Sequence, residues 1–306
     1  MESTILVIGE ALIDVVWRAG EDARRYPGGS PLNVAVGLGR LGHVPRLATW
    51  FGDDEDGILI ARHCAASHVA LLPGCDQAAH TSTAEATIDA SGQASYHFDV
   101  NFRMPAIPAG TRPALVHTGS IGALLRPGHA DVLAYVESAH SEAIVTFDPN
   151  CRPSLMGEAA ATRELTQRYV AASDLVKVSD EDLAWLYPGT SSEDDLVQRA
   201  RLWISAGPSV VIVTMGALGA LAVTADSLLR VPADTRHGLV DTVGAGDSFM
   251  AGLIHGMVNH GYCQPDRRGA LGDSAEDLTA ILSQAAAIAG ITVSRAGANP
   301  PWPDEL

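Results

Sequence analysis

Two clusters of residues have types and spacing that could do chemistry. The segment Asp241-Thr242-Val243-Gly244-Ala245-Gly246-Asp247-Ser248-Phe249 puts small residues where a helix begins, since Phe249, Leu253 and Met257 follow at i, i+4 spacing. Small residues leave backbone N–H groups open, and a helix N-terminus adds its positive dipole end, so an anion such as a phosphate is the expected ligand. Asp247 would repel that phosphate unless it takes a proton from a hydroxyl attacking it. The competing reading is a glycine-rich cap in which Asp247 stabilises the helix dipole.

The second cluster lies near the start of the chain: Gly9-Glu10, Asp14, Gly28-Gly29-Ser30-Pro31 and Asn33. Asp14 interrupts the apolar run of Leu12, Ile13, Val15 and Val16, where a charge is costly unless it is partnered. Two adjacent sugar hydroxyls would be such partners, and Asn33 adds a donor and an acceptor. A surface-facing Asp14 on an edge strand is the alternative. Paired glycines ahead of a helix opening at Pro31 let a ligand approach the backbone closely.

Positioning these groups calls for an α/β framework. Thr4–Ile8, Arg46–Trp50, Leu115–Thr118, Ala143–Phe147, Leu175–Val178 and Val210–Thr214 are apolar on both faces and read as buried strands. Helical patterns lie between them at 31–41, 55–65, 128–140, 159–172, 180–187 and 193–206. This alternation predicts a mainly parallel sheet covered by helices on both faces. Residues 11–18 continue as a second extended piece. Thr83–Asp89 and Ala94–Phe102 alternate in polarity around a turn at 90–93, which predicts a small sheet with one wet face. The expected division is an α/β core of 1–10, 31–82 and 104–306, with a small β lid of 11–30 and 83–103. A further hairpin is expected from 210–214 with 220–224.

Composition narrows the function. The 306-residue chain is 47% hydrophobic, 18% charged and carries a net charge of −16, without a basic block, so nucleic acid is not an expected partner. Lys177 is the only lysine among 20 basic residues, and no Gly-Lys-Ser/Thr triplet exists for a Walker A loop. Four scattered cysteines predict reduced thiols, and no charged leader precedes Ile5–Ile8, so a cytoplasmic protein is expected. The uncharged stretches 209–225 and 278–294 are too interrupted for membrane spans. Gly37-Leu38-Gly39-Arg40-Leu41-Gly42 spells a dinucleotide fingerprint, yet it falls inside a helical pattern rather than after a strand, so close helix packing is the better reading. No zinc motif or nucleophile elbow is present.

Taken in order, Gly9-Glu10…Asp14, Gly28-Gly29-Ser30-Pro31-x-Asn33 and Asp241–Phe249 resemble the ribokinase/PfkB carbohydrate kinases, ATP-dependent sugar kinases, from Ile5 to Pro301. Asp148-Pro149-Asn150-Cys151-Arg152 and the Leu175–Asp182 segment resemble the fructokinase-like branch. The resemblance implies a ribokinase-like core with a β lid, and Asp247 as the base that deprotonates the sugar. It implies a backbone anion hole at Gly244, Ala245 and Gly246. Asp14, Gly28, Gly29 and Asn33 would hold the sugar; Arg103 and Arg152 would reach it, unless the first is a solvated lid arginine and the second a structural ion pair. Lys177, Ser179, Thr214, Gly216, Gly219 and Asn299 would border ATP. Where the family often carries Asn-x-x-Glu for magnesium waters, this chain has Ser179 and Asp182, so Asp182 is the expected Mg²⁺ residue. Asp241 matches a monovalent-cation (K⁺) ligand, or else satisfies backbone donors in a tight loop. Fructose is the expected sugar, with 2-keto-3-deoxygluconate, ribose or a nucleoside as alternatives, and a silent sugar-binding homologue as the non-enzymatic one. An exposed lid sheet could also pair two copies across a two-fold axis.

Overall fold

The runs that are apolar on both faces form the parallel centre of a nine-stranded sheet, and the alternating runs form a separate sheet of four. The computed structural model describes residues 4–18, 22–88 and 94–306; the turn expected at 90–93 lies outside the described residues. In chain order the strands are β1 (Ile5–Ile8), β2 (Leu12–Arg18), β3 (Arg24–Gly28), β4 (Arg46–Ala48), β5 (Ala70–Leu71), β6 (Thr83–Ile88) and β7 (Ala94–Asp99). They continue with β8 (Leu115–Gly119), β9 (Ile144–Asp148), β10 (Leu175–Ser179), β11 (Val210–Thr214), β12 (Ala220–Val223) and β13 (Leu228–Val231).

The large sheet runs β13-β12-β11-β10-β9-β8-β1-β4-β5. Pairing is parallel from β5 to β11, and the last two strands turn back antiparallel as the expected hairpin plus one strand. β1, β8 and β9 are buried at every position; β1 is apolar throughout, whereas β8 and β9 bury His117, Thr118, Thr146 and Asp148 among their apolar residues. β1 pairs with β4 on one side and β8 on the other, so the strand order reverses there. In such sheets a crevice opens beyond the carboxyl ends of the strands at the reversal.

All six predicted helices form, within one or two residues of their expected ends: Ser30–Arg40, Glu55–Ala66, His129–Ala139, Ala159–Ala171, Asp180–Leu186 and Glu193–Ile204. The stretch 278–294 lies within a 19-residue helix, Ala275–Val293, packed against Ala245–Asn259. A Cβ on Gly252 would stand 2.7 Å from Ala285 Cα, so the two backbones approach closely. Among the described residues no helix is long and apolar enough to cross a membrane. Of the dinucleotide-like glycines, Gly37 and Gly39 lie within the Ser30–Arg40 helix and Gly42, at φ 94°, sits in the turn that follows it. A Cβ on Gly37 would come 2.7 Å from Ala251 Cβ, so Gly37 lets this helix dock on Ala245–Asn259.

The small sheet has the order β3-β2-β6-β7. Its edge strand β3 escapes sequence reading because Arg24, Arg25 and Pro27 suit an edge, where a missing N–H donor is tolerated. Tyr26, Asp14, Ala84 and Phe98 lie in cross-strand register, forming one row across the sheet. The Glu55–Ala66 helix packs on β2 and β3, while Asp14, Ala84 and Phe98 face a cavity shared with the large sheet.

Candidate active site

That cavity, of about 620 Å³, collects residues from the carboxyl ends of β1, β8, β9, β10 and β11 and from the start of the Ala245–Asn259 helix. Gly244 caps that helix in the left-handed region at φ 76°. A side chain there would also collide with Ala298, since its Cβ would lie 2.5 Å from that of Ala298. The Ala245 N–H closes the turn onto Thr242 O at 3.2 Å. Gly246, at the second helical position, has no intrahelical acceptor for its N–H and keeps a donor for a ligand. A Cβ on Gly246 would sit 3.2 Å from Lys177 Nζ, so the lysine lies directly behind this turn.

Asp247 follows in the first turn and is buried. Its Oδ1 accepts from Ser30 Oγ at 2.7 Å and Asn150 Nδ2 at 3.3 Å, and its Oδ2 accepts from Asn33 Nδ2 at 2.8 Å. The helix start has no side-chain cap bond. The carboxylate is therefore held by residues of other elements, unlike the arrangement expected of a simple cap.

On the small sheet, Asp14 is largely withdrawn from water. Burial raises its carboxyl to about 6, with the nearby Arg152 charge opposing the shift and Asp247 adding to it. Gly28 leaves room for it, since a Cβ there would lie 2.1 Å from Asp14 Oδ2. Gly29, at φ 106°, is fixed by close approach of a different kind: its Cβ would stand 2.7 Å from Glu10 O. Arg152 Nη1 donates to Asn150 O, Asn150 Oδ1 and Cys151 O, so it braces the 150–152 loop while its charge faces Asp14 and Glu10.

Sequence alone assigns Glu10 and Asn150 no role, passes over Ser120, and puts Lys177 only beside the nucleotide. Glu10, 2% exposed, accepts from the Gly122 N–H at 2.7 Å; burial pushes its carboxyl up to about 7 against bonds from Gly122 and Ser120 and the Arg152 charge. Ser120 and Asn150 line the cavity with positive φ, 54° and 35°, a strain that side-chain spacing does not reveal. Asp148 and Lys177 form a buried pair at 2.9 Å. Burial lowers Lys177, but Asp148, Asp247 and Asp182 together raise it above its ordinary value. Burial dominates at Asp148, lifting it to about 6 despite the lysine.

Asp14, Gly29, Asn33, Arg152, Lys177, Ser179, Asp182, Thr214, Gly216, Gly244, Ala245, Gly246 and Asp247 thus line one cavity. The other expected residues stand outside its lining. Gly28 backs Asp14. Arg103 is exposed, as the solvated alternative has it. Gly219 shapes the β11–β12 hairpin, where a Cβ would meet Val231 O at 2.1 Å. Asn299 accepts from Arg40 Nη1 at 2.5 Å. Asp241 accepts from Val243 N at 3.0 Å and Gly297 N at 2.8 Å, the backbone-satisfying arrangement, which ties two loops together.

Magnesium takes oxygen ligands and keeps several of its waters. Among the described residues no group of three His, Cys, Asp or Glu side chains is arranged to hold a metal directly. Asp182 lines the cavity with Oδ1 held by Cys151 N, and neither Asp148 oxygen has a well-directed hydrogen bond beyond its ion pair with Lys177. This donor set fits a hydrated cation carried on a nucleotide's phosphates.

A sheet crevice that sets an acid beside a glycine-built helix start, under the inner face of a second sheet, defines a group-transferring α/β enzyme with a polar substrate. The model of the pfkB family of carbohydrate kinases matches residues 2–305. A fructokinase of Klebsiella pneumoniae is 32% identical over 315 residues, covering 100% of this chain and 99% of that one. Two solved structures are similar throughout. One is the aminoimidazole riboside kinase of Salmonella enterica complexed with aminoimidazole riboside and an ATP analog, at TM-score 0.80 and 25% identity, covering 99% of this chain and 98% of that one. The other is the fructokinase of Vibrio cholerae O395 in its fructose, ADP and calcium ion bound form, at 0.79 and 26%, covering 97% and 94%. The chain belongs to the pfkB family of carbohydrate kinases, and it is an ATP-dependent sugar kinase.

Proposed function

We propose that the chain is a fructokinase that moves the γ-phosphoryl group of ATP to a primary hydroxyl of fructose. The carrying observation is Asp247, held by Ser30, Asn33 and Asn150 between the glycine turn and the Asp14 side of one cavity. Asp247 takes the hydroxyl proton; the hydroxyl oxygen forms a bond to the γ-phosphorus as the bond to the bridging oxygen breaks, and ADP leaves with that electron pair. Gly244, Ala245 and Gly246 face the transferring group with the helix N-terminus behind them. Lys177 supplies fixed positive charge behind the turn, and Asp14, Gly29, Asn33 and Arg152 orient the sugar.

Asp182 would hold the Mg²⁺ carried on the nucleotide through water, and that ion would supply neutralisation of phosphate charge. K⁺ is the monovalent ion expected near Asp241. The small sheet acts as a lid, since Asp14, Ala84 and Phe98 on its inner face line the cavity. An exposed edge strand β3, with Tyr26 half exposed, supports the pairing of a second copy through the small sheet. Four buried free cysteines support a cytoplasmic setting.

A coupled ADP-release assay across fructose, ribose, 2-keto-3-deoxygluconate and nucleosides, aminoimidazole riboside included, tests the substrate. Fructose should give the highest kcat/KM. Another acceptor exceeding it tenfold would replace fructose, and no ADP release with any acceptor would remove the kinase reading.

A further inference from the structure

Arg40 ends the helix that carries Ser30 and Asn33, and it points away from the cavity toward the C-terminal segment. Its Nη1 donates to Asn299 Oδ1 at 2.5 Å and to Pro300 O at 2.8 Å, its Nε donates to Ser67 Oγ at 3.4 Å, and its guanidinium lies 5.5 Å from the Trp302 ring centroid. Gly39 makes this placement possible, since a Cβ there would stand 1.8 Å from Ser67 O. The segment that Arg40 grips is the back wall of the glycine turn. Ala298 abuts Gly244, and Gly297 N donates to Asp241, whose other oxygen holds Val243 N. One guanidinium thus fixes three of the four residues after Ala298, namely Asn299, Pro300 and Trp302, and two contacts pass that position to the turn.

We propose that Arg40 is a positioning residue for phosphoryl transfer, clamping Asn299, Pro300 and Trp302 so that Ala298 holds Gly244 and the anion-binding turn in its reactive geometry. The inference rests on the kinase reading given above. It draws on Arg rather than Lys chemistry, because a planar fork can serve two acceptors and stack on an indole at once. A misplacement of about 1 Å at a reacting centre can cost on the order of a hundredfold in rate.

The test compares Arg40→Met, Arg40→Lys and Asn299→Ala with Arg268→Met. The last breaks another arginine tie, Arg268 Nε to Asp174 Oδ1 at 2.9 Å, where the chain enters β10. Wild-type sugar phosphorylation is measured first; its absence overturns the kinase reading itself, independently of Arg40. With wild type active, Arg40→Met should lower kcat at least about tenfold, leave fructose Kd by calorimetry without nucleotide within about twofold, and lower Tm no more than Arg268→Met does. Arg40→Lys should recover part of kcat, and Asn299→Ala should fall between. A kcat within twofold of wild type in Arg40→Met overturns the proposal, as does an equal kcat loss in Arg268→Met at equal Tm. Should Arg40→Met not fold, Asn299→Ala decides by the same kcat and Kd criteria.

Discussion

Three donors converge on the Asp247 carboxylate from a helix and a loop that are far away in sequence. Such a carboxylate is oriented before any substrate arrives, which is what a base at a phosphoryl-transfer site requires. Asp247→Asn keeps the size but cannot take the proton, and its amide would face at least one donor. Single-turnover transfer should fall by about 10²–10⁴, while fructose and ATP still bind by calorimetry. Retention of more than about a tenth of kcat, with chemistry rate-limiting, would sink the assignment. Asp14 makes a second expectation at this scale. Its carboxyl lies near 6 because of burial, and only the ionised form accepts from two sugar hydroxyls. The kcat/KM for sugar should therefore be lost as pH falls through about 6. Asp14→Asn should lower it by about tenfold or more at neutral pH and flatten that limb, with ATP affinity unchanged. Both acids were legible in sequence because each is chemically out of place, one among glycines and one in an apolar run. Glu10, Ser30 and Asn150 stand in motifs that the sequence displays, but their roles were not legible, because those depend on partners brought near by packing rather than spacing.

The helix Ser30–Arg40 does more than carry Ser30 and Asn33. Gly37 decides how close it lies to the helix that carries Asp247 and Gly39 how close it lies to Ser67, and a dinucleotide fingerprint would have assigned them a ligand instead. Gly37→Ala should push Cβ into Ala251, at 2.7 Å, and overpacking of this kind costs about 1–3 kcal/mol. The urea midpoint should fall, and kcat should fall with it because Ser30 and Asn33 move relative to Asp247. Unchanged stability and kcat would mean that the two helices are not set by this contact. Element reading succeeded where burial leaves a simple pattern, as in β1, β8, β9 and the six amphipathic helices. It failed at β3, whose polar edge sequence resembles a loop. It also missed the helix Ala275–Val293, which is rich in alanine and apolar on most sides, so that no stripe marks it.

At the scale of the whole molecule, the cavity is costly to keep open. Glu10 is 2% exposed and its carboxyl sits near 7 instead of 4.5, chiefly through burial, with the Gly122 N–H, Ser120 and the Arg152 charge only partly compensating. Between about pH 4.5 and pH 7 the folded chain keeps a proton that the unfolded chain releases. Stability must then fall as pH rises through this window, because the folded state binds more protons there. The shift corresponds to roughly 3 kcal/mol lost by pH 8, a large share of a typical domain's stability. Surface repulsion in a chain of net charge −16 acts in the same direction, but salt screens it, whereas a buried carboxylate is hardly screened. Urea unfolding of the ligand-free protein at high salt should therefore give lower stability at pH 8 than at pH 5. Glu10→Gln keeps an acceptor for the Gly122 N–H without the charge, so it should match wild type near pH 5 and exceed it by about 2–3 kcal/mol at pH 8. A variant whose stability follows pH with the wild-type slope would show that Glu10 is not the group that titrates. The same substitution separates fold from function: a gain in stability at pH 8 with a loss in kcat/KM for sugar is the outcome expected if the buried charge is kept for the substrate.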